Sequence, residues 1–313
     1  MELIIKEVKL FQSVKGNEII IKFASNLKRV MNKTKITFLL LIVLCVTNIK
    51  GELKYGNVND KDQIESLIRH GAAGNSFGER VLLAAKGMEG LPEGPVSDND
   101  SIGTIFLKTD SLDRMEFINL ALAIGMTAEL QNPSLKEFEE NYEKVSRRKG
   151  KDEGFASQFF YGADWIGDNI YRGILKEMTE YIESGNYKTK TLDRMSHNRD
   201  KYPALADSDV YDKVKIIEMG FRSHRIPHLK KQSAANKQIL ENMQSGDIIM
   251  MLVPDNDYDL YDIGVVEMIN GQPHLIHLSH QNGKVTVDPY PLQRLFKLEG
   301  QYFYGFRWLR PNE

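Results

Sequence analysis

The spacing of apolar residues predicts helices through the first half of the chain that follows residue 52. Segment 62–88 carries apolar residues at helical intervals and is predicted to form two short helices. Segment 134–146 has the same amphipathic pattern, and 164–184 is also predicted to be helical. The strongest helix is predicted over 113–130. Its buried face is formed by Phe117, Leu120, Ala121 and Ile124.

Polar segments separate these helices. Residues 89–103 are rich in Gly, Pro, Asp, Asn and Ser, which favours a loop, and 104–109 is a candidate short strand. Asp113 and Glu116 are three positions apart where the strongest helix begins, the spacing of a capping box. The charge run RRKGKDE at 147–153 is predicted to be a solvated loop rather than a binding patch.

The pattern changes at residue 246 from helical to strand-like. Four apolar segments separated by turns, two of which contain Asn-Gly, predict an antiparallel meander. These segments are 246–254, 262–270, 273–280 and 284–290, and 303–311 is predicted to be the last strand. Helices followed by antiparallel strands indicate an α+β fold.

The N-terminal segment is predicted to be a targeting signal. Residues 36–46 (ITFLLLIVLCV) form an almost unbroken apolar run, and Lys33 and Lys35 precede it, as in a secretory signal peptide. A signal that begins at Met31 has the usual length, so 1–30 is interpreted as an upstream extension. The alternative is a cytosolic segment followed by a short anchor, although the run is shorter than the roughly 20 residues of a membrane span.

Composition narrows the functional classes. The chain has 313 residues, with 41 Lys and Arg against 43 Asp and Glu, so its near-neutral charge gives no general attraction to nucleic acid or membranes. Its one cysteine, Cys45, lies inside the predicted signal, where lipid attachment is a less favoured alternative to secretion. We expect the mature chain to be periplasmic or secreted and to lack cysteine. Residues 52–313 are predicted to form a single domain.

Several motifs that bind cofactors or metals are absent from the sequence. There is no phosphate-binding glycine loop, no HExxH and no paired-cysteine site, so no cofactor is predicted. Strand alternation places His274 and His280 on one face and His277 on the other. A metal site formed by two of the seven histidines has only weak support from their spacing, and none is predicted.

Several stretches together resemble the bacterial N-acetylmuramoyl-L-alanine amidase-like family, which is related to the NlpC-type, papain-like cysteine peptidases of cell-wall turnover. The resemblance spans most of the mature chain in the family's order. It is carried by LDRMEFINLAL (112–122), GFASQFFYGADWIGDN (154–169), MSHNRDKYPAL (195–205), GDIIMMLVP and LYDIGVV within 246–266, HLIHLSHQNGKV (274–285) and FRWLRP (306–311). It implies a papain-like antiparallel sheet packed against helices, with additional N-terminal helices.

The resemblance also implies that the catalytic residues have been replaced. The family has a cysteine after an aspartate at a helix start, where the helix N-terminus and a base stabilise the thiolate. Here the aspartate is Asp113, and Arg114 follows it. Asp262, before Ile263-Gly264, stands where the family has its general-base histidine, and His277 retains the third polar position.

We expect Arg114 to pair with Asp262, because a nucleophile and its base lie within hydrogen-bond reach of each other. An arginine remains protonated and is mildly unfavourable at a helix N-terminus, so it needs a partner or must point away. The alternative is that the alignment is offset and Arg114 is solvated. Another alternative is a serine nucleophile, Ser111 or Ser279, with His277 as its base.

Six residues are candidates for ligand binding because they fall in or beside the family stretches. For Trp165, a position in the hydrophobic core is as good an interpretation as a binding role. Tyr261 has the alternative of covering the ends of strands. The candidates are Asp113, Asp164, Trp165, Ser196, Arg199 and Tyr261.

Three functions follow from this interpretation. The first is a secreted relative of cell-wall amidases that has lost hydrolysis and binds a muropeptide or a protein partner. The second is an active peptidoglycan hydrolase that uses a nucleophile other than cysteine, or a metal. The third is an interaction module whose cleft has closed.

Overall fold

A computed structural model describes residues 53–95, 106–182 and 185–313. The predicted signal segment and Cys45 lie outside these residues, as does most of the predicted 89–103 loop. Of the predicted strand at 104–109, residues 106–107 form a short strand and 104–105 are not described.

Helices are the main secondary structure of the described residues between 60 and 171, as the apolar spacing predicts. The helix predicted over 113–130 begins at Arg114 and ends at Ala128, and the two predicted within 62–88 are both present. The helices in chain order are α1 (Asp60–Gly71), α2 (Phe77–Gly87), α3 (Arg114–Ala128), α4 (Leu135–Ser146), α5 (Gly162–Tyr171), α6 (Arg194–His197), α7 (Ser208–Met219), α8 (Lys237–Asn242) and α9 (Leu292–Glu299).

The strands form one large antiparallel sheet and one small parallel pair. The strands are β1 (Lys54–Tyr55), β2 (Phe106–Leu107), β3 (Leu175–Glu177), β4 (Asn186–Lys190), β5 (His224–Lys230), β6 (Ile248–Leu252), β7 (Leu260–Ile269), β8 (Gln272–Ser279), β9 (Lys284–Val287) and β10 (Gly305–Pro311). β1 pairs with β2, and the large sheet has the order β4-β5-β10-β6-β7-β8-β9, with β3 also beside β10.

The predicted meander is confirmed as β6 to β9, in which each strand pairs with the next along the chain. Asn270 and Gly271 both adopt positive φ at the β7–β8 turn, a conformation that this residue pair favours. The last strand, β10, does not extend the meander but lies between β5 and β6. The mixture of helices with an antiparallel sheet confirms the α+β prediction.

One local prediction is wrong, and another holds only in part. The segment 164–184 is not continuously helical, because α5 ends at Tyr171 and β3 follows, held by its pairing with β10. The charge run 147–153 is only partly solvated: Lys149, Lys151 and Glu153 are exposed, but the two arginines are held in ion pairs. Arg147 is buried in an ion pair with Asp152, and Arg148 pairs with Asp164.

Both faces of the large sheet are covered. Alternate residues of β6 belong to two separate hydrophobic clusters, as strand geometry requires. Ile248, Met250 and Leu252 pack in the cluster that contains α1 to α5, whereas Ile249 and Met251 pack with α8 and α9. No helix in the described part of the chain has the length and apolar content needed to cross a membrane.

Candidate functional site

Helix α3 begins with the predicted capping box. The Asp113 side chain accepts a hydrogen bond from the Glu116 backbone N–H (2.7 Å), and Glu116 accepts one from the Asp113 N–H (2.9 Å). The next residue, Arg114, therefore occupies a fixed position at the first turn.

Replacing Asp113 with alanine is expected to lower the free energy of unfolding by about 1 kcal/mol, because the first turn loses a backbone hydrogen bond. Denaturant unfolding at pH 7 measures this change. Glu116→Gln keeps an acceptor for the Asp113 N–H and should cost less. An Asp113→Ala protein as stable as the original would contradict the capping role.

The guanidinium of Arg114 lies between three polar partners. Its Nε is 3.4 Å from Asp262 Oδ1, which is the predicted pair. Its Nη1 donates to Glu93 Oε1 at 2.5 Å, and its Nη2 is 2.8 Å from His280 Nδ1. Two carboxylates thus offset the unfavourable position of a cation at a helix N-terminus.

Asp262 links Arg114 to a second cation. Its Oδ2 lies 2.6 Å from His277 Nδ1, and both side chains are fully buried. Since Gly264 stands opposite His277 in the sheet register, Asp262 is its diagonal neighbour on the same face. Gly264 is required there, because a Cβ would lie 2.6 Å from the Ile276 carbonyl oxygen and 2.9 Å from the His277 Cβ.

Electrostatics keep His277 protonated. Burial by itself lowers the pKa of His277, but the carboxylates of Asp262 and Asp288 outweigh it and raise the pKa to about 10. Asp288 contributes from the far side, with its Oδ2 3.6 Å from His277 Nε2. The half-buried Arg114 and the buried Asp262, His277 and Asp288 therefore form a charged chain of alternating sign.

Aromatic rings border this chain of charged side chains. Tyr261 stacks on His280 with ring centroids 4.6 Å apart, and on Tyr302 at 5.8 Å. Tyr302 is 52% exposed, and His280 is also exposed, so the stack reaches the surface beside Arg114. Burial and Arg114 both lower the pKa of His280, which favours its neutral form.

The structure brings Asp113 and Tyr261 to this site but places the other candidate residues in separate contacts. Trp165 is fully buried and donates its ring N–H to Asn119 Oδ1 at 2.9 Å, so it is a core residue. Asp164 is buried against Arg148, and burial raises its pKa to about 6 despite that cation.

Ser196 and Arg199 also have local roles. The Ser196 backbone N–H donates to Glu218, and the Arg199 Nε donates to the Leu205 carbonyl oxygen at 2.6 Å. The Arg199 guanidinium lies 4.3 Å from the Tyr211 ring centroid. Both residues therefore stabilise the segment around α6 and α7.

The sequence did not indicate Glu93 or His280 as neighbours of Arg114. His280 follows the end of β8 at Ser279, so strand alternation does not apply to it. Glu93 forms an isolated bridge with Leu112, which brings it beside the start of α3. Among residues 53–95, 106–182 and 185–313, no three His, Cys, Asp or Glu side chains are arranged to hold a metal ion.

A family model described as N-acetylmuramoyl-L-alanine amidase-like matches residues 96–300. The chain belongs to the N-acetylmuramoyl-L-alanine amidase-like family. No curated protein matches this family member.

Solved structures show the same fold. An N-acetylmuramoyl-L-alanine amidase from Bacteroides uniformis is 24% identical, with a TM-score of 0.67 over 76% of this chain and 99% of that one. A candidate xylanase from Bacteroides fragilis is 25% identical, with a TM-score of 0.63 over 72% and 98%. A Legionella pneumophila protein is 16% identical, with a TM-score of 0.61 over 81% and 94%.

Proposed function

We propose that this member of the amidase-like family is secreted, has lost hydrolysis and binds peptidoglycan fragments at the Arg114 site. The observation that carries the proposal is the position of Arg114 at the start of α3, in contact with Asp262 and Glu93. A guanidinium that stays protonated has no lone pair with which to attack an amide. An ion pair would then occupy the place of a nucleophile and its base.

The state of His277 argues against a serine nucleophile. A histidine that is fully buried, with a pKa of about 10, is already protonated at neutral pH and is unable to accept a proton from a hydroxyl. Ser279 is buried, and its Oγ accepts the Asn282 N–H at 3.4 Å. The Ser111 hydroxyl donates to Asp110 instead.

The surface beside Arg114 supports a binding role. Muropeptides combine sugar rings with amide and carboxylate groups, and flat aromatic rings beside charged groups suit such ligands. Tyr261, His280 and Tyr302 supply the rings, and Glu93 and Arg114 supply the charges. A protein partner at the same surface is the alternative outcome.

The order of elements favours a papain-like, NlpC-type ancestry for this scaffold. Helix α3 presents residue 114 to β7, and the neighbouring β8 supplies His277, which is the order of nucleophile, base and third group that the resemblance implies. A cell-wall ligand also agrees with the signal peptide predicted at residues 36–46.

The test is a double reversion, Arg114→Cys with Asp262→His. The original protein should bind purified muropeptides in calorimetry without cleaving them, and the double variant should release products detectable by mass spectrometry. Arg114→Ser with Asp262→His is the matched control, because it restores the base without a thiolate.

Three results would contradict parts of the proposal. Cleavage by the original protein that disappears on substitution at the Arg114 site would show retained hydrolysis. Absence of muropeptide binding would remove the binding role and favour the protein partner. A folded double variant that stays inactive would contradict an intact scaffold.

A further inference from the structure

A second polar cluster lies where β4 and β5 meet the residue that precedes β10. Lys188 stands opposite Ile226 in the sheet register and Asn186 opposite His228, so Lys188, Lys190 and His228 project from one face. Tyr304 lies among them. We name Lys188, Lys190, His228 and Tyr304 the Tyr304 cluster.

The Tyr304 ring is the centre of this cluster. Its centroid is 4.4 Å from Lys188 Nζ and 5.3 Å from Lys190 Nζ. The His228 ring meets it edge-on, with centroids 4.8 Å apart. Gly305 leaves room for this contact, since a Cβ there would lie 2.6 Å from the His228 ring.

Two buried polar atoms in the cluster have no hydrogen-bond partner among the described residues. They are the hydroxyl oxygen of Tyr304 and Nδ1 of His228, a side chain that is only 8% exposed. Buried polar atoms are almost always paired in folded proteins. Because the Tyr304 hydroxyl and His228 Nδ1 are neighbours and both lack a hydrogen-bond partner in the described part of the chain, they point to a molecule bound between them.

The lysines of the cluster bring positive charge without a paired carboxylate among the described residues. Lys188 Nζ donates to the Pro254 carbonyl oxygen at 3.0 Å. Lys190 Nζ donates to the carbonyl oxygens of Val253 and Tyr258 at 2.6 and 2.7 Å. Carbonyl oxygens orient an ammonium group but do not neutralise it.

The acidic residues of the adjacent loop are occupied elsewhere. Asp255 and Asp257 both pair with Arg194 at 3.0 Å. Asp259 is fully buried and accepts the backbone N–H groups of Gly162 and Ala163 at the start of α5. These three aspartates reduce the positive field at the cluster, but none of them forms an ion pair with its lysines.

Burial is the main cause of the pKa shifts within the cluster, and the lysines add to it. Burial lowers the pKa of Lys190 to about 8, with Lys188 acting in the same direction against the opposing effect of Asp259. Burial also lowers the pKa of His228, and the nearby Lys188 and Lys230 lower it further. An anion between these groups would relieve this mutual repulsion.

We propose that the Tyr304 cluster binds the oxyanion of a phosphate group, at a site separate from Arg114. Lysine acts as a point charge and binds phosphate in many proteins, whereas planar carboxylates favour the paired donors of arginine. The cluster supplies hydrogen-bond donors from several directions. They are the two lysine ammonium groups, the Tyr304 hydroxyl and an N–H of the His228 imidazole. That arrangement suits a tetrahedral anion.

The experiment titrates the full chain with inorganic phosphate at constant ionic strength and pH 7, by calorimetry and by NMR of the histidine rings. We expect saturable binding that shifts the His228 signals. The Kd should rise at least tenfold in Lys188→Gln and several-fold in Tyr304→Phe. Tyr304→Phe should melt at the original temperature or above it, because the lost hydroxyl has no partner in the protein.

Lys136→Gln is the matched control, since Lys136 is exposed on α4 and should leave the Kd unchanged. Acetate should bind at least tenfold more weakly than phosphate. Methyl phosphate and dimethyl phosphate show whether the ligand is a monoester or a diester, and binding of either supports the site. Absence of saturable phosphate binding, equal binding of acetate, or equal weakening in Lys136→Gln would overturn the proposal.

Discussion

Replacing Asp262 with alanine is expected to lower the free energy of unfolding by about 3–5 kcal/mol, because it leaves a buried imidazolium without its closest counter-charge. Asp262 is fully buried, 2.6 Å from His277 Nδ1 and 3.4 Å from Arg114 Nε. Its Oδ1 also accepts the Ile263 N–H at 2.8 Å. One truncation therefore affects two cations and a backbone donor.

Denaturant unfolding at pH 7 measures this loss. Asp288→Asn is the matched comparison, because Asp288 also faces His277 but at 3.6 Å and with some exposure, so it should cost clearly less. Equal stability of the original and the Asp262→Ala protein would contradict the buried ion pair. A larger loss for Asp288→Asn than for Asp262→Ala would indicate that Asp288 is the main counter-charge of His277.

His277→Gln should reveal a stabilisation that depends on pH. The folded pKa of about 10 lies above the value of roughly 6.5 in an unfolded chain. The imidazolium thus contributes its full stabilisation below about pH 6.5 and loses it as the pH rises through the folded pKa. Over this window, the stability difference between the original and the variant should shrink by about 1.4 kcal/mol per pH unit.

Urea unfolding of both proteins at intervals from pH 6 to pH 10 measures this slope. Nitrogen chemical shifts of His277 provide a direct check, since they should report a protonated ring at pH 8. A stability difference that stays constant over the range, or a ring that is neutral at pH 7, would refute the charged chain.

The β6–β9 meander follows from local sequence. Apolar runs separated by turns are enough to predict it, because a pair such as Asn270-Gly271 favours the tight turn that joins adjacent strands. The capping box at Asp113 is similarly local, since both of its partners lie within one helical turn. Such features depend on neighbours in the chain and are readable without the fold.

Other features depend on distant residues. β3 forms because Leu175–Glu177 meets β10, more than 130 positions later, so its helix-like pattern was misleading. Arg147 is buried and Arg148 is half-buried because Asp152 and Asp164 lie beside them in the fold. A run of charges alone does not indicate such partners.

The sequence by itself determined that the predicted mature part contains no cysteine and that residues 114 and 262 are arginine and aspartate. The replacement of two catalytic residues at these positions is a prediction from the resemblance to the amidase-like family. These are statements about residue identity, and alignment along the chain suffices for them. Only the tertiary structure decided that Glu93 and His280 both contact Arg114. It also decided that Asp262 pairs with a protonated His277 and that Trp165 is a core residue. Charge pairing and burial depend on distances of a few ångströms between residues far apart in sequence, and those distances are fixed only when the sheet and helices pack together.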